Sequence, residues 1–531
     1  MSWIPWILLA AAVAMQLVAL PALIQRRGEG SAPWQGAVPF MHFFPWLRLI
    51  ERPWYWALFL LVPGINLIML TIMHVELGLA FGRRSVKDQW IMGALPWWGL
   101  WELRQSDDAW VGKRDWTKTR KSTVREWVEA LLWATVVAST LRLFLVEPFT
   151  IPTPSMEGSM LVGDYLLVSK TSYGPKLPST PFSMPFVHNA LPGSLTPSYT
   201  SWFSMPYMRL PGWRGVKRND AVVFSFPHGD TVFVDPQLVG HDYYALLRQQ
   251  GIRNAGGSVQ TFALNPEKHL AAARSRAAKS PGLRPRPLDK MENYVKRCVG
   301  LPGETIEVID GDLHIDGIPA DNPPGLQKEY RVVFGSQAEA KSAVRKLGLT
   351  KLDMGRPDAL PDGLAVIMAL TESEATQMGE LARSLEPMSN AHRKGRLEMF
   401  PNVWNDEFNQ WEPDNYGPVT LPKEGATVEL TPRNLDIYRR WITAYEHHDM
   451  EELPDGSVLI DGVPATTFTF GMNGYWMMGD NRHRSADSRM WGFVPEDHLI
   501  GRASFVWFSK QNAAQHGESK IRWDRMMKAV Q

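Results

Sequence analysis

Long apolar runs dominate the first third of the chain. At about 1.5 Å of rise per residue, roughly 20 apolar residues in a helix cross the hydrocarbon core of a membrane. One run is broken by Pro63 and Gly64, and another is short and rich in Trp, which is typical of a membrane interface rather than a span. The runs are residues 3–24, 54–81, 89–103 and 128–146. This pattern predicts a helical membrane region that ends with the fourth run.

Basic residues indicate how these helices are oriented. Arg26 and Arg27 follow the first run, whereas a cleavable signal peptide carries its positive charge first. A second basic cluster precedes the fourth run and contains, besides Asp115, the residues Lys113, Arg114, Lys118, Arg120, Lys121 and Arg125. Because basic loops stay in the cytoplasm, the final helix is expected to run outward, so that the chain after Glu147 lies outside. Both clusters should be cytoplasmic, which requires an even number of crossings between them and leaves the number itself open.

After residue 149 the apolar pattern changes to short β-type segments. Residues 161–170 and 221–226 have strand composition. Two similar passages, 308–320 and 453–465, place Asp-Gly turns between short strands, as β-hairpins do. They bracket a segment of about 130 residues that has helical composition at 336–347 and 372–385. We expect this segment to form a separate lobe.

Composition narrows the possible classes of protein. The chain has 531 residues, of which 45% are hydrophobic, and its net charge of +1 gives no support for a nucleic-acid partner. The one cysteine, Cys298, excludes an intrachain disulfide and a cysteine metal cluster. Residues 180–211, rich in Pro, Met and aromatic residues, are either an irregular surface loop or an aromatic patch at the bilayer interface. His447 and His448 lack helical spacing, so we expect a polar surface there and no metal site.

A proline-pinned loop follows the fourth apolar run and contains Ser155. Pro148, Pro152 and Pro154 fix the backbone and prevent the helix from continuing. Met156 and Met160 follow the serine, although apolar residues are unusual on a solvated turn. The residues leave two interpretations open: a serine presented for chemistry, or a linker in which Ser155 is only a turn residue.

The segment 293–303, NYVKRCVGLPG, has β-forming residues around Lys296 and Arg297 and ends at a Leu-Pro-Gly turn. Neighbouring residues of a strand point to opposite faces, so one of these cations faces a covered side. If Lys296 is the covered one, desolvation lowers its pKa and makes its amine available as a general base for a serine hydroxyl. The alternative is an edge strand with basic side chains that reach solvent.

A cluster of polar residues lies between two apolar strands in the segment 475–509. Polar groups in such a position are costly to bury unless they satisfy one another. The cluster contains Asp480, Asn481, Arg482, Ser485, Asp487 and Arg489. It is either a hydrogen-bonded network that positions the lysine or an ion-paired surface turn.

Taken together, these motifs resemble those of bacterial type I signal peptidase, a serine protease family with a Ser–Lys dyad. The resemblance rests on PSM…GD at 154–164, RNDAVVFSFP at 218–227, the KRCVGLPG strand and the turn GDNRHRSADSRMWGFVP at 479–495, in the family's order. It covers roughly residues 128–178, 214–230, 290–320 and 455–510. Two positions depart from the pattern: Pro154 stands where glycine is common, and His483–Arg484 replace residues that are usually acidic or amide.

The resemblance implies a role for each matching residue. Ser155 is the nucleophile and Lys296 the general base. Thr153 joins the Ser155 N–H as oxyanion hole, and losing one such donor costs roughly 100-fold in rate. Ser485 orients the lysine. The supporting network consists of Arg297, Asp480, Asn481, Asp487 and Arg489. The walls of the pockets for small substrate residues at −1 and −3 consist of Phe149, Ile151, Met156, Met160, Tyr294 and Val295.

The expected fold is a set of N-terminal transmembrane helices followed by a mainly antiparallel β catalytic domain with a large inserted α+β lobe. The expected parts are a multi-span region with basic cytoplasmic loops (1–127), the final outward-running helix (128–148), the first catalytic part with inserts 171–213 and 231–290 (149–320), the inserted lobe (321–452), the second catalytic part (453–510) and a C-terminal tail (511–531).

The implied activity is removal of N-terminal signal peptides from exported preproteins after an Ala-x-Ala type site, without cofactor or metal. The expected location is the bacterial inner membrane, multi-pass, with the catalytic domain on the periplasmic side. Expected partners are preprotein signal peptides, the lipid bilayer and, by proximity, the Sec translocon, with no nucleic acid. Three alternatives compete with this interpretation: a Ser–His hydrolase using His228, His483 or His498, a non-catalytic receptor for signal peptides or translocon components, and a soluble self-cleaving repressor-type protease.

Overall fold

The structure is a computed structural model. It describes residues 4–28, 32–113, 123–184, 186–191, 193–194, 196–201, 204–227, 231–233, 242–279, 283–511 and 519–530. The chain divides into two compact units, Met1–Leu143 with Pro178–Pro206 and Phe144–Leu177 with Tyr207–Gln531. Most of the predicted 180–211 segment therefore belongs to the N-terminal unit. Most of the predicted basic cluster, residues 114–122, lies outside the described residues.

The N-terminal unit is mainly helical in its described residues up to Leu143, whereas its segment Pro178–Pro206 has isolated β-bridges and no helix among the described residues. Its helices, the last of which ends one residue beyond the unit, are α1 (Ile4–Arg27), α2 (Phe43–Leu49), α3 (Trp56–Phe59), α4 (Ile65–Ala80), α5 (Val86–Ala94), α6 (Pro96–Gln105) and α7 (Thr123–Phe144), with a 3₁₀ turn at Pro33–Ala37. Among the described residues, α7 is the one helix long and apolar enough to cross a membrane, and α4 is a shorter apolar helix.

The predicted apolar runs break where the sequence places helix-breaking residues. The second run is interrupted at Gly64, whose φ of +74° is left-handed, so the long helix begins only at Ile65. The third run divides into α5 and α6 because Pro96 starts a new helix. Arg26, in the last turn of α1, donates to the carbonyl oxygens of Leu103 (3.0 Å) and Arg104 (2.6 Å) and so joins α1 to α6.

The fourth predicted run forms α7, but its bounds differ from the expected 128–148. The helix begins at Thr123 and ends at Phe144, and the next strand begins at Val146. Pro148 is therefore not helical: it pairs with Leu167 in an antiparallel ladder. The reason is that proline ends the helix and is tolerated in an edge strand.

The second unit contains the strands and the remaining helices. The strands of its first half are β1 (Val146–Thr150), β2 (Asp164–Ser169), β3 (Ala221–Ser225), β4 (Thr231–Phe233), β5 (Leu283–Pro285), β6 (Asn293–Gly300), β7 (Thr305–Ile309), β8 (Asp312–Ile315), β9 (Ile318–Pro319), β10 (Gln327–Phe334), β11 (Asp358–Leu360), β12 (Gly363–Thr371) and β13 (Ser384–Pro387). Those of its second half are β14 (Tyr416–Thr420), β15 (Thr427–Glu429), β16 (Met450–Glu452), β17 (Val458–Ile460), β18 (Val463–Ala465), β19 (Thr467–Thr469), β20 (Gly474–Met478), β21 (Val494–Pro495), β22 (Leu499–Gln511), β23 (Lys520–Ile521) and β24 (Lys528–Ala529). The helices are α8 (Tyr243–Asn254), α9 (Val259–Leu264), α10 (Pro266–Ala277), α11 (Gln337–Lys346), α12 (Glu372–Leu381), α13 (Pro432–Arg440) and α14 (Ser488–Trp491).

The main sheet has the order β1-β2-β22-β3-β6-β20-β21, and its pairs are antiparallel. This confirms the expectation of a mainly antiparallel β domain. The predicted Asp-Gly turns are present as well: Asp310 and Gly311, and Asp461 and Gly462, have the positive φ of tight hairpin turns. The fold brings β1, which follows α7, within two strands of the long β22 near the C-terminus.

The segment predicted as one lobe, 321–452, divides between two cores. β10–β13 form a separate sheet in the order β11-β12-β10-β13, and helices α11 and α12 pack on it around Phe334 and Met368. The later part instead packs against the main domain, because Trp441 and Tyr416 are buried together with Trp476 and Phe493. The expected single lobe therefore extends over only about its first half.

The segment predicted as a C-terminal tail is part of the β domain in its described residues, 519–530. β23 and β24 pair with β22. Arg525 and Arg522 both reach the fully buried carboxylate of Asp164, with nitrogen–oxygen distances of 2.6 and 3.4 Å. A buried carboxylate needs such partners, and here they come from more than 350 residues away.

Candidate active site

Ser155 lies on a single 3₁₀ turn, Pro154–Met156, between β1 and β2. Pro154 occupies the first position of this turn, where its missing N–H has no cost. The serine is 8% exposed, and Met156 and Met160 are fully buried beneath it, which explains why apolar residues follow the serine. The Asn481 backbone N–H donates to the Ser155 carbonyl oxygen at 3.2 Å, so the polar turn at 479–495 (the charged turn) is bonded to the serine loop.

Lys296 lies in β6, where it pairs with Val222 of β3. Its side chain is 3% exposed, and its Nζ donates to Ser155 Oγ at 2.7 Å and to the Val295 carbonyl oxygen at 3.1 Å. Burial lowers the pKa of Lys296 from 10.5 to about 8, although the carboxylates of Asp487 and Asp480 partly oppose this shift. The fold thus brings together a hydroxyl and a desolvated amine that are 141 residues apart.

Thr153 stands beside the serine at the surface of the cleft. Its Oγ1 is 3.5 Å from Ser155 Oγ, and either hydroxyl can be the donor. Its backbone is extended, at φ −127° and ψ 153°, immediately before the 3₁₀ turn.

Two buried ion pairs form the core of the predicted network. Arg297 donates from Nε and Nη2 to the two carboxylate oxygens of Asp480, at 2.7 and 2.6 Å. Arg489 donates in the same way to Asp487, at 2.9 and 2.8 Å. Burial would raise the pKa of Asp487, but the Arg489 guanidinium outweighs it and holds the pKa below its usual value. Each bidentate pair satisfies charges that would otherwise be expensive to bury.

Ser485 is buried in the turn between β20 and α14, and its hydroxyl donates to the Ala486 carbonyl oxygen at 3.4 Å. Gly479 lies between it and the nucleophile loop: a Cβ at Gly479 would contact Ser485 Oγ and come within 2.5 Å of the Ser155 carbonyl oxygen. The turn therefore requires glycine here. The described hydrogen bonds of Lys296 go to Ser155 and Val295, so the orienting role of Ser485 stays a prediction.

A cleft of about 360 Å³ opens at Ser155 and Lys296. Two extended segments, 149–153 and 292–296, line it together, and most of the predicted pocket residues are among them or nearby: Phe149, Ile151, Met156, Tyr294 and Val295. Met160 does not line the cleft; it is fully buried in the core behind Met156. Leu166 and Val223 also form the wall, and sequence reasoning missed them because only strand register brings β2 and β3 here.

Two of the three histidines considered for a Ser–His hydrolase, His483 and His498, have other partners. His483 accepts from the Glu329 N–H at its Nδ1 (2.9 Å) and donates from Nε2 to Asp414 (2.7 Å). His498 pairs with Asp497 at 2.6 Å. His228 lies outside the described residues. The unusual His483–Arg484 pair thus has a structural role, since Arg484 also pairs with Glu329 of β10 at 2.7 Å.

Among the described residues, no group of three or more His, Cys, Asp or Glu side chains is arranged to hold a metal ion. His448 pairs with Asp461 at 2.7 Å.

Residues 124–368 and 443–508 match the family model for signal peptidase, peptidase S26. The chain belongs to the signal peptidase family. The signal peptidase I of Buchnera aphidicola (subspecies Schizaphis graminum) is 43% identical over 386 residues, which cover 73% of this chain and 75% of that protein. That of Rickettsia canadensis is 40% identical over 394 residues (74% and 83%), and that of Haemophilus influenzae 23% over 410 residues (77% and 76%).

The signal peptidase match includes the serine loop, the lysine strand and the charged turn, and it leaves out residues 369–442. Residues 34–113 of the N-terminal unit match a different family, DUF5684, of unknown function. The protein is a signal peptidase I enzyme, a protease that removes signal peptides from preproteins.

Proposed function

We propose that this signal peptidase cleaves with Ser155 as nucleophile and Lys296 as general base. The observation that carries the proposal is the 2.7 Å contact between Lys296 Nζ and Ser155 Oγ, both of which belong to buried residues. A lysine with a pKa of about 8 has a substantial neutral fraction near neutral pH, unlike an ordinary lysine. A neutral amine at hydrogen-bonding distance can take the serine proton.

The reaction then proceeds in two stages. Lys296 takes the Ser155 proton while Oγ attacks the carbonyl carbon of the −1 residue, and the oxyanion is stabilised by the Thr153 hydroxyl and the Ser155 N–H. The resulting ammonium protonates the departing amine, which releases the mature protein and leaves an ester on Ser155. Lys296, neutral again, then takes a proton from water while the hydroxide attacks the ester, and the lysine ammonium returns that proton to the departing Ser155 Oγ, which releases the leader as a carboxylic acid.

Cleavage after small residues is supported by the shape of the cleft. The substrate would lie extended between segments 149–153 and 292–296, as a strand added between two strand-like walls. Met156 and Leu166 line the cleft and are fully buried. These buried side chains would keep the −1 and −3 pockets shallow, so that alanine fits and a larger side chain would overpack the site.

The supporting network would keep the lysine strand and the serine loop in register. Arg297 follows Lys296 directly, and its partner Asp480 precedes Asn481, which holds the serine loop. Ser485 would complete this arrangement by positioning the lysine in the enzyme–substrate complex.

Membrane anchoring is supported by the surface of α7. It exposes large apolar side chains along its length, including Trp127 (67%), Leu131 (62%) and Val137 (50%). Such a surface is expected of a helix that contacts lipid. We propose a multi-pass inner-membrane protein whose α7 runs outward, with the catalytic unit on the periplasmic side and close to the Sec translocon.

The proposal is tested by incubating the full-length, detergent-solubilised protein with a preprotein that has an Ala-x-Ala site, and by sequencing the product N-terminus. We expect a cut after the second alanine by the wild type and by Ser172→Ala, and none by Ser155→Ala. Cleavage by the Ser155→Ala variant would contradict the assigned nucleophile. Unchanged processing in cells that contain only this variant would instead favour the non-catalytic receptor.

The pH dependence provides a further prediction. Because Lys296 must be neutral to act as base, kcat/KM should rise about tenfold per pH unit below its pKa of about 8 and level off above it. Glu157, two residues from the nucleophile, also titrates nearby, since burial and Asp353 raise its pKa to about 7. The Glu157→Gln variant removes this second titration and should retain the rise near pH 8. A profile that is flat from pH 6 to 9 would exclude Lys296 as base.

A further inference from the structure

A short loop on the surface of the second unit exposes several large apolar side chains. They are Trp213 (85% exposed), Met208 (48%), Tyr207 (44%) and Leu210 (40%). Exposed apolar residues that occur singly are ordinary, whereas a group of neighbouring ones marks a surface that contacts another molecule or a membrane. We refer to residues 207–213 as the apolar loop.

The backbone of the apolar loop is held in place by its neighbours. The Leu210 N–H donates to the Pro175 carbonyl oxygen at 2.9 Å, and a Cβ at Gly174 would collide with the Leu210 carbonyl oxygen. The one charged side chain of the loop, Arg209, donates to the carbonyl oxygens of Gly174 (2.8 Å) and Leu499 (2.6 Å). The loop therefore presents its apolar side chains from a fixed backbone, and its guanidinium is already bonded.

Contacts within the second unit place the apolar loop near Leu145, the residue that follows α7. The Leu145 carbonyl oxygen accepts from the Lys170 N–H at 2.9 Å. The next residue, Thr171, accepts from the Trp213 N–H at 3.1 Å. Two backbone hydrogen bonds and one peptide link thus join Trp213 to the residue after α7, a path of roughly 15 Å or less.

The length of the apolar part of α7 places Leu145 at the surface of a bilayer. Glu129 is the last acidic residue of the helix, and only about 15 residues follow it as far as Phe144. At 1.5 Å per residue they span about 22 Å, which is less than the roughly 30 Å of a hydrocarbon core. Arg142, in the last turn, can extend its charge to the headgroups. A segment this short is accommodated by local thinning of the bilayer and by flanking residues that reach the interface.

We propose that the apolar loop docks the catalytic unit on the outer surface of the bilayer, with the Trp213 and Tyr207 rings at the level of the lipid headgroups. Trp and Tyr favour this level because each joins an apolar ring to one polar group. Lipid is the occupant we favour, since the loop is bonded to the part of the chain that leaves the membrane. The inference rests on the proposed anchoring through α7. It adds a second contact that would fix the height and tilt of the cleft for a leader still in the membrane.

The single cysteine of the chain makes a direct test possible. Cys298 is fully buried and burial raises the pKa of its thiol, so a thiol-specific dye should not label it in the folded enzyme. The full-length enzyme is reconstituted in phosphatidylcholine–phosphatidylglycerol vesicles after labelling of Trp213→Cys, Leu145→Cys or Ile318→Cys. Leu145 reports on the end of the membrane helix. Ile318 is the control, a 69% exposed apolar residue of β9 in another sheet.

With iodide on both sides of the membrane, the dyes at positions 213 and 145 should lose iodide quenching and be quenched by a nitroxide-labelled lipid. The dye at position 318 should show the opposite. Iodide quenching at 213 but not at 145 would overturn the docking and leave the anchoring intact, whereas iodide quenching at 145 would refute both. Shielding at 213 that varies with the protein-to-lipid ratio, or that needs an added preprotein, would assign the loop to a second copy or to the leader and would also overturn the inference.

Activity provides a second readout of the docking. The double variant Met208→Ser with Trp213→Ser should lower kcat/KM roughly tenfold for a preprotein inserted in the same vesicles, because two large apolar side chains no longer enter the interface. Its cleavage of a short soluble peptide should be unchanged. The control variant Ile318→Ser with Val463→Ser removes side chains that are 69% and 63% exposed, and it should affect neither substrate.

Equal losses for the vesicle-bound preprotein and the soluble peptide, or no loss for either, would contradict the docking. Absence of cleavage of both substrates by the wild type would instead refute the proposed catalytic function. That outcome would leave the dye measurements valid, because they require no catalysis.

Discussion

Replacing Lys296 with methionine should lower kcat by roughly 10⁴-fold, because in the proposed mechanism the variant loses both the base that activates Ser155 and the acid that protonates the leaving amine. The same change should stabilise the protein at pH 7. The pKa of Lys296 falls from 10.5 to about 8 on folding, so the folded state disfavours the charged form. At about 1.4 kcal/mol per pKa unit, this penalty is on the order of 3 kcal/mol.

The sign of the stability effect depends on pH. The penalty is fully present below the folded-state pKa of about 8, and it disappears as the pH rises towards 10.5, where the unfolded chain also loses its proton. The gain in stability of Lys296→Met should therefore be largest below pH 8 and small above pH 10. Thermal denaturation of both proteins at pH 7 and pH 10 measures it.

Lys176 provides a matched control. It is a partly buried lysine whose pKa is also lowered by desolvation to about 8, but its Nζ donates to the Asp497 carbonyl oxygen at 2.9 Å, away from the serine. Lys176→Met should retain most of the activity. If both substitutions abolished cleavage equally, or if Lys296→Met still cleaved, the assignment of Lys296 as base would be wrong.

Replacing Asp480 with alanine should reduce the free energy of unfolding by about 3–5 kcal/mol, because it leaves the Arg297 guanidinium buried without its counter-charge. The side chains of this pair are only 2% and 1% exposed, and two hydrogen bonds join them. Chemical denaturation of the solubilised protein measures the loss. Activity should fall too, since Arg297 adjoins Lys296.

The exposed pair Arg383–Asp362 is the corresponding control. Its side chains are 52% and 82% exposed, and their shortest nitrogen–oxygen distance is 3.3 Å. Asp362→Ala should change the stability by no more than about 0.5 kcal/mol, because solvent screens such a pair. Similar losses for the two variants would mean that burial does not govern the energetics of the Arg297–Asp480 pair.

Local features of this protein could be predicted from its sequence because few residues specify each of them. The prolines around Ser155 required a loop between a helix and a strand, and the Asp-Gly pairs required hairpin turns, since each restricts the backbone directly. The β-forming residues around Lys296 predicted the strand β6. Together with the order of the motifs, these features were enough to assign the family.

Tertiary structure alone decided the features that join distant segments. The 2.7 Å contact of Lys296 with Ser155, the entry of Leu166 and Val223 into the cleft wall, and the burial of Met160 behind it all depend on strand register. Tertiary packing also pairs the buried carboxylate of Asp164 with arginines near the C-terminus. It buries aromatic residues of the later part of segment 321–452 in the core of the main domain, so that this segment does not form one lobe. Long-range packing makes these choices, and no pattern within a short stretch of sequence encodes them.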